Sequence, residues 1–65
     1  MRIQVNGRLH EVRATTLDAL LRELGYEDQK VGTALNQSFV RDRDREKTVI
    51  RDGDAIEIVT PRQGG

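Results

Sequence analysis

The chain opens with an alternation of apolar and polar residues that predicts a β-hairpin. Over residues 1–5, Ile3 and Val5 fall on one face of an extended strand. Asn6-Gly7 follows directly, and this dipeptide accepts positive φ at both central positions of a type I′ turn. We therefore expect a return strand over residues 8–14.

A helical period replaces the alternation after this hairpin. Four leucines recur at the spacing i, i+3, i+4 and i+7: Leu17, Leu20, Leu21 and Leu24. Thr15-Thr16 offers an N-cap, and Asp18 stands three residues after Thr15, in the register of a capping box. Gly25 occupies the place where a left-handed residue ends a helix. We expect one short helix whose leucine face packs on the protein's own sheet.

The second half of the chain predicts short strands separated by turns. Residues 31–35 and 38–40 are candidate strands on either side of an Asn36-Gln37 turn. Residues 41–47 alternate in charge sign without an apolar residue, which favours a solvated loop or turn over a binding helix. A last strand is predicted at residues 55–60, after a turn that contains Gly53.

These elements together predict an α+β fold. Ile56 and Ile58 give the last strand one buried face, and Pro61 ends its ladder because proline has no amide hydrogen. One helix packed on one face of a mixed sheet of four to five strands is the two-layer solution for so short a chain. It is the β-grasp arrangement when the first and last strands are parallel neighbours at the centre. We expect residues 1–60 to form this domain and residues 61–65 to form a flexible C-terminal Gly-Gly tail.

Composition narrows the functions open to the chain. Eleven Lys+Arg balance eleven Asp+Glu, which argues against the basic face that nucleic-acid binding requires. The sequence has no cysteine and one histidine, His10, so thiolate metal sites and a cysteine nucleophile are excluded. No apolar stretch approaches the ~18 residues of a membrane span, and the first residues lack the apolar core of a signal peptide. We expect a cytoplasmic protein, monomeric when free, that binds no metal or cofactor and catalyses nothing by itself.

The chemistry of this sequence is concentrated in Gly64 and Gly65, its last two residues. Glycine has no Cβ, so extended backbone can enter a narrow active site closely. A terminal carboxylate is ionised at neutral pH and can attack the α-phosphorus of ATP to give an acyl-adenylate. A persulfide or thiolate can attack that anhydride, so a chain without cysteine can carry sulfur at its own terminus. ATP and Mg²⁺ would be held by a partner, because the other glycines of this sequence are isolated.

The combined motifs resemble the ThiS family of thiamine-biosynthesis sulfur carriers, within the wider MoaD/ThiS group. The resemblance covers essentially the whole chain and rests on five groups of residues: Val5-Asn6-Gly7; Thr15-Thr16-Leu17 with Leu20-Leu21; Ala34-Leu35-Asn36-Gln37 with Val40; Asp52-Gly53-Asp54 with Ile56-Glu57-Ile58; and Gly64-Gly65. After Val40 the family commonly has Pro-Arg and then an apolar or aromatic residue, whereas this chain has Arg41-Asp42-Arg43-Asp44.

This resemblance implies a ubiquitin-like β-grasp fold and a set of partner enzymes. An E1-like, ThiF-type enzyme would adenylate Gly65 with ATP, with Arg62, Gln63 and Gly64 threaded into its active site. Sulfur from a donor such as a cysteine desulfurase would give a thiocarboxylate, and a ThiG-type thiazole synthase would receive that sulfur. The small subunit of molybdopterin synthase, tRNA-thiolation carriers and ubiquitin-like modifiers are related alternatives. A passive β-grasp interaction module is an alternative of another class.

A docking surface is predicted on the face of the sheet that the helix leaves uncovered. That face would display Val59, Ala55 and Leu9, a small apolar area beside the tail. Such an area suits contact with an activating enzyme.

Overall fold

A computed structural model of the chain describes residues 1–61, and residues 62–65 lie outside the described part. Along the described residues the elements are β1 (Arg2–Val5), β2 (Arg8–Glu11), α1 (Leu17–Glu23), β3 (Gly32–Leu35), β4 (Ser38–Val40), a 3-10 helix (Asp42–Lys47) and β5 (Ala55–Val59). The division into a domain at residues 1–60 and a tail at 61–65 stays a prediction.

The five strands form one sheet in the order β2-β1-β5-β3-β4. The central pair is parallel, with Gln4 opposite Ala55 and Val5 opposite Ile56. The remaining three pairs are antiparallel. One helix on a mixed sheet with parallel first and last strands at its centre is the ubiquitin-like β-grasp fold, so the predicted fold class is confirmed.

The core lies between α1 and one face of the sheet. Its most deeply buried side chains are Ile3, Leu17, Leu20, Ile50 and Ile56. The predicted leucine face therefore packs on the protein's own sheet. Ile50 is 2% exposed and was not predicted as core, because it stands alone between the charged segment and the last turn without a periodic neighbour.

Both ends of α1 are closed by hydrogen bonds. The Thr16 hydroxyl accepts from the amide of Ala19 at 3.2 Å, so Thr16 is the N-cap and the capping box expected from Thr15 and Asp18 is wrong. Asp18 is paired instead with Arg22, one turn along the helix. At the C-terminal end, Gly25 has φ +88°, as its position predicted, and the next amide, of Tyr26, donates to the carbonyl of Leu21 at 2.8 Å.

The return strand of the first hairpin is shorter than expected. β2 ends at Glu11 although Val12 and Ala14 are buried, at 3% and 8% exposure. Val12 still exchanges backbone hydrogen bonds with Met1, at 2.9 and 2.8 Å. After Val12, the Glu23 carboxylate accepts hydrogen bonds from the amides of Arg13 and Ala14, at 3.1 and 2.9 Å. A side chain of α1 thus replaces the strand partner that these amides would have needed.

The charged segment is a 3-10 helix rather than a loop. Its residues are exposed, as predicted, except Arg45, which is half-buried. The Arg45 guanidinium donates to the carbonyl of Val31 at 2.6 Å and to the Thr33 hydroxyl at 3.1 Å. One arginine therefore anchors a segment that has no apolar residue of its own.

Candidate functional site

Strand β5 gives the sheet two chemically different faces. Ile56 and Ile58, 1% and 5% exposed, point into the core. Ala55, Glu57 and Val59 alternate with them on the opposite side, which we call the open face, and Val59 is 64% exposed. Strand β5, which leads to the tail, is therefore buried on one side and exposed to solvent on the other.

A shallow apolar depression lies on the open face beside the end of β5. Gly32 is paired with Val59, and a Cβ placed on Gly32 would lie 4.0 Å from the Cβ of Val59. Ala34 is paired with both Glu57 and Phe39. The small residues of β3 thus leave a hollow of about 270 Å³ between larger neighbours, lined by Gly32, Thr33, Ala34, Phe39, Glu57 and Val59.

The structure places the three predicted docking residues on this same open face but not in one patch. Gln4 is paired with Leu9 on one side and with Ala55 on the other. Glu57 stands between Ala55 and Val59 along β5. Leu9 is 66% exposed, yet two polar side chains separate it from Val59, and its docking role stays a prediction.

Phe39 is the functional candidate that the sequence analysis missed. It is 73% exposed on β4, across Ala34 from the tail-bearing strand. A strand of three residues, Ser38–Val40, is too short for alternation to identify its outward face. The signal that was present is the single phenylalanine of the sequence, because an aromatic at an outward position is typical of a contact surface.

The end of β5 is anchored from both sides. On one side Val59 pairs with Gly32 of β3. On the other side β1 has already ended, and the Asn6 side chain takes its place. The Asn6 amide donates to the carbonyl of Ile58 at 3.1 Å, and its Oδ1 accepts from the amide of Ile58 at 2.8 Å. Val59 is therefore the last residue in the ladder.

Asn36 makes a matching contact at the beginning of β5. Its Oδ1 accepts from the backbone amide of Ala55 at 2.9 Å, and its backbone N–H donates to the carbonyl of Ala55 at 2.7 Å. Asn6 and Asn36 have φ of +52° and +49°, a conformation that asparagine tolerates better than most residues. Each hairpin turn thus provides a side chain that holds the central strand.

Thr60 and Pro61 follow the last ladder pair and are exposed. The predicted tail residues Arg62, Gln63, Gly64 and Gly65 lie outside the described residues. Within residues 1–61 no three His, Cys, Asp or Glu side chains come close enough to hold a metal ion. No helix in the described part of the chain is long and apolar enough to cross a bilayer.

Comparisons with known proteins decide the family. The ThiS family profile matches residues 3–65. The chain belongs to the ThiS family. It is 32% identical over 63 residues to the sulfur carrier protein ThiS of Thermus thermophilus, a match covering 97% of this chain and 98% of that relative. The crystal structure of the thiamine biosynthesis protein (ThiS) from Geobacter metallireducens has a TM-score of 0.83 at 28% identity, with 100% of both chains covered.

The chain also matches thiazole synthases, which are much longer. A thiazole synthase of Paramagnetospirillum magneticum is 35% identical over 66 residues, and the chain spans 20% of that protein's length. The family resemblance predicted from the sequence is thus confirmed, and so is the β-grasp fold that it implied.

Proposed function

We propose that this chain is a sulfur carrier for the thiazole moiety of thiamine and that the sulfur is attached at the C-terminal carboxylate of Gly65. The observation that carries the proposal is the match to the ThiS family, which extends to Gly65 itself. The Thermus thermophilus relative that matches nearly end to end is named a sulfur carrier. The proposal requires Gly65 to carry a free carboxylate.

The proposed chemistry has two stages. The Gly65 carboxylate attacks the α-phosphorus of ATP, pyrophosphate leaves, and an acyl-adenylate forms. The terminal sulfur of a donor persulfide then attacks the acyl carbon and AMP leaves, which gives an acyl disulfide. A second thiol cleaves the S–S bond, so the thiocarboxylate leaves and the donor thiol is left in a disulfide with that second thiol. Conversion to the thiocarboxylate exchanges one oxygen for one sulfur. The chain takes part as a co-substrate and supplies no acid, base or bound metal to either stage.

The proposed partners are an E1-like, ThiF-type adenylating enzyme, a sulfur donor such as a cysteine desulfurase, and a ThiG-type thiazole synthase. A segment resembling this whole chain occurs in a thiazole synthase, which supports the last partner. ATP and Mg²⁺ would be held by the adenylating enzyme, and this chain would bind no cofactor. Because ATP and these enzymes are intracellular, we place the carrier in the cytoplasm.

The geometry supports docking on the open face. Four residues separate Pro61 from the end of Gly65, and a fully extended chain of that length spans at most roughly 14 Å. An enzyme that acts on Gly65 must therefore bring its active site to within that distance of Pro61. The rim of such an active site meets the body of the carrier, and the depression at Val59 and Phe39 is the apolar surface nearest the end of β5.

The test is an intact-mass measurement after incubation with the activating enzyme, ATP and a sulfur source. We expect a mass increase equal to the difference between one sulfur and one oxygen atom, located at Gly65. Deletion of Gly65 removes the reacting carboxylate from its position. Gly64→Val adds a branched side chain that blocks a narrow active site. Both variants should therefore abolish the mass change.

The matching control is the urea unfolding curve of the same variants, which should superpose on that of the wild type since the five described strands and the buried core all lie before Thr60. Modification of the deletion variant at the wild-type rate would refute the proposal.

A further inference from the structure

A basic groove runs beside the 3-10 helix, at the opposite edge of the sheet from β2. It has a volume of about 590 Å³, and its charged and aromatic lining is Lys30, Phe39, Arg41, Asp42, Arg43 and Arg45. These residues place four cations beside one carboxylate, in a chain whose eleven basic and eleven acidic residues balance overall. The groove therefore carries a local excess of positive charge.

None of these cations forms an ion pair with a carboxylate in the described part of the chain. The ion pairs found within residues 1–61 join Arg2 and the N-terminus to Glu11, and Arg22 to Asp18. None involves a cation of the groove. The Asp42 carboxylate accepts a hydrogen bond from the amide of Arg43 at 2.7 Å, and the guanidinium of Arg45 is held by Val31 and Thr33.

The groove adjoins the surface next to the tail. Phe39 lines both the groove and the apolar depression of the open face. Val31, which also lines the groove, precedes Gly32, and Gly32 is paired with Val59. A partner that covers the depression to reach the tail would therefore meet the groove at the edge of its contact.

We propose that this groove receives an acidic segment of the enzyme that adenylates Gly65. The inference rests on the proposed function, since that function supplies the enzyme. Charge complementarity selects an acidic occupant. The continuity with an apolar depression favours a protein over a nucleic acid, and Asp42 inside the groove opposes a uniform polyanion. Such contacts speed association and set orientation more than they add to catalysis.

The experiment compares two double charge reversals in the full-length chain. Arg41→Glu/Arg43→Glu reverses the groove, and Arg8→Glu/Arg13→Glu makes the same charge change at exposed positions near the other edge of the sheet. Titration calorimetry gives Kd for the activating enzyme, and pyrophosphate release gives KM and kcat for adenylation. We expect the groove variant to raise Kd and KM about tenfold or more at low ionic strength with kcat unchanged.

A substitution that makes the groove more positive provides a second test. Asp42→Asn removes the single carboxylate of the groove while keeping an acceptor for the Arg43 amide, and it should lower Kd about twofold to threefold. The groove reversal should also flatten the dependence of Kd on salt, whereas the control reversal should change Kd less than about twofold.

Four outcomes overturn the inference: equal weakening by both double variants, no effect of the groove variant, no binding of the wild type to the enzyme, or loss only of binding to an RNA oligonucleotide. Failure of the proposed function gives a different result. In that case the wild type binds the enzyme without being adenylated, and the Kd values of the variants still decide whether the groove is the contact.

Discussion

The helix-covered face and the open face of the sheet are built from alternate residues of the same strands, yet their apolar side chains differ sharply in exposure. On the covered face Ile3 and Ile56 are 0% and 1% exposed. On the open face Leu9, Phe39 and Val59 are 66%, 73% and 64% exposed, and they are three of the four exposed large hydrophobic residues among residues 1–61. A chain this short has little apolar surface to spare. Its concentration on one face supports the proposal that this face contacts a partner protein.

The largest effect should come from the covered side. Ile56→Ala removes a side chain at the centre of the core and should lower the free energy of unfolding by about 2–4 kcal/mol. The total for a chain of 65 residues is roughly 3–10 kcal/mol, so this variant should be largely unfolded at modest urea concentrations. Circular dichroism with urea titration measures it.

Val59→Ala is the matched control for this change, three residues along the same strand but on the open face. It should alter the free energy of unfolding by no more than about 0.5 kcal/mol. Equal destabilisation by the two variants would contradict the assignment of the two faces.

The next effect concerns Asn6, whose side chain is hydrogen-bonded to the backbone of β5 at Ile58. Asn6→Ala removes both hydrogen bonds to Ile58 and leaves alanine at positive φ, so it should cost about 1–3 kcal/mol. Asn6→Gly separates these causes because glycine accepts the backbone conformation. Hydrogen exchange of the Ile58 amide should accelerate in both variants. Unchanged protection of that amide would show that the asparagine contact is dispensable.

Substitutions on the open face should change the free energy of unfolding little but should raise KM for adenylation clearly. Phe39→Ser/Val59→Ser should raise KM for adenylation about tenfold, which is equivalent to ~1.4 kcal/mol, and should leave the urea midpoint nearly unchanged. Val49→Ser is the control, since Val49 is the fourth exposed large hydrophobic residue and is bridged to Thr16 rather than placed on the open face. Equal effects of the two variants on KM would exclude the depression as the contact.

The smallest effect is expected at Leu9. Two polar side chains separate it from Val59, so Leu9→Ser should raise KM about twofold at most, the size of a peripheral contact. A tenfold increase would extend the docking surface across the whole open face, as the sequence alone suggested.

Much of this fold follows from local rules that act within a few residues. The Asn6-Gly7 turn, the leucine period and the glycine after α1 all appear where their chemistry predicts them. The exposure of residues 41–47 was predicted, but the 3-10 helix Asp42–Lys47 was not, because its anchor, Arg45, bonds to β3 and such a tertiary contact leaves no periodic pattern in the sequence. The strand-holding role of Asn6 and Asn36 was missed for the same reason.

The candidate site was also predictable only in part from local sequence patterns. Val59 and Ala55 were placed on the open face by alternation along β5, a local property. Phe39 joins them only because β4 pairs with β3 and β3 with β5, which is a matter of strand order. Gly64 and Gly65 remain a prediction from sequence and family, because they lie outside the described residues.

The bracketing of β5 by two asparagines has a mechanical consequence. A force applied through Pro61 acts along β5, which is bonded laterally to β1, to β3, and to both turn side chains. Such a pull loads these bonds in shear, all together, rather than peeling them apart one by one. Under the proposed function, an enzyme that pulls on the end of the chain would therefore leave residues 1–61 folded.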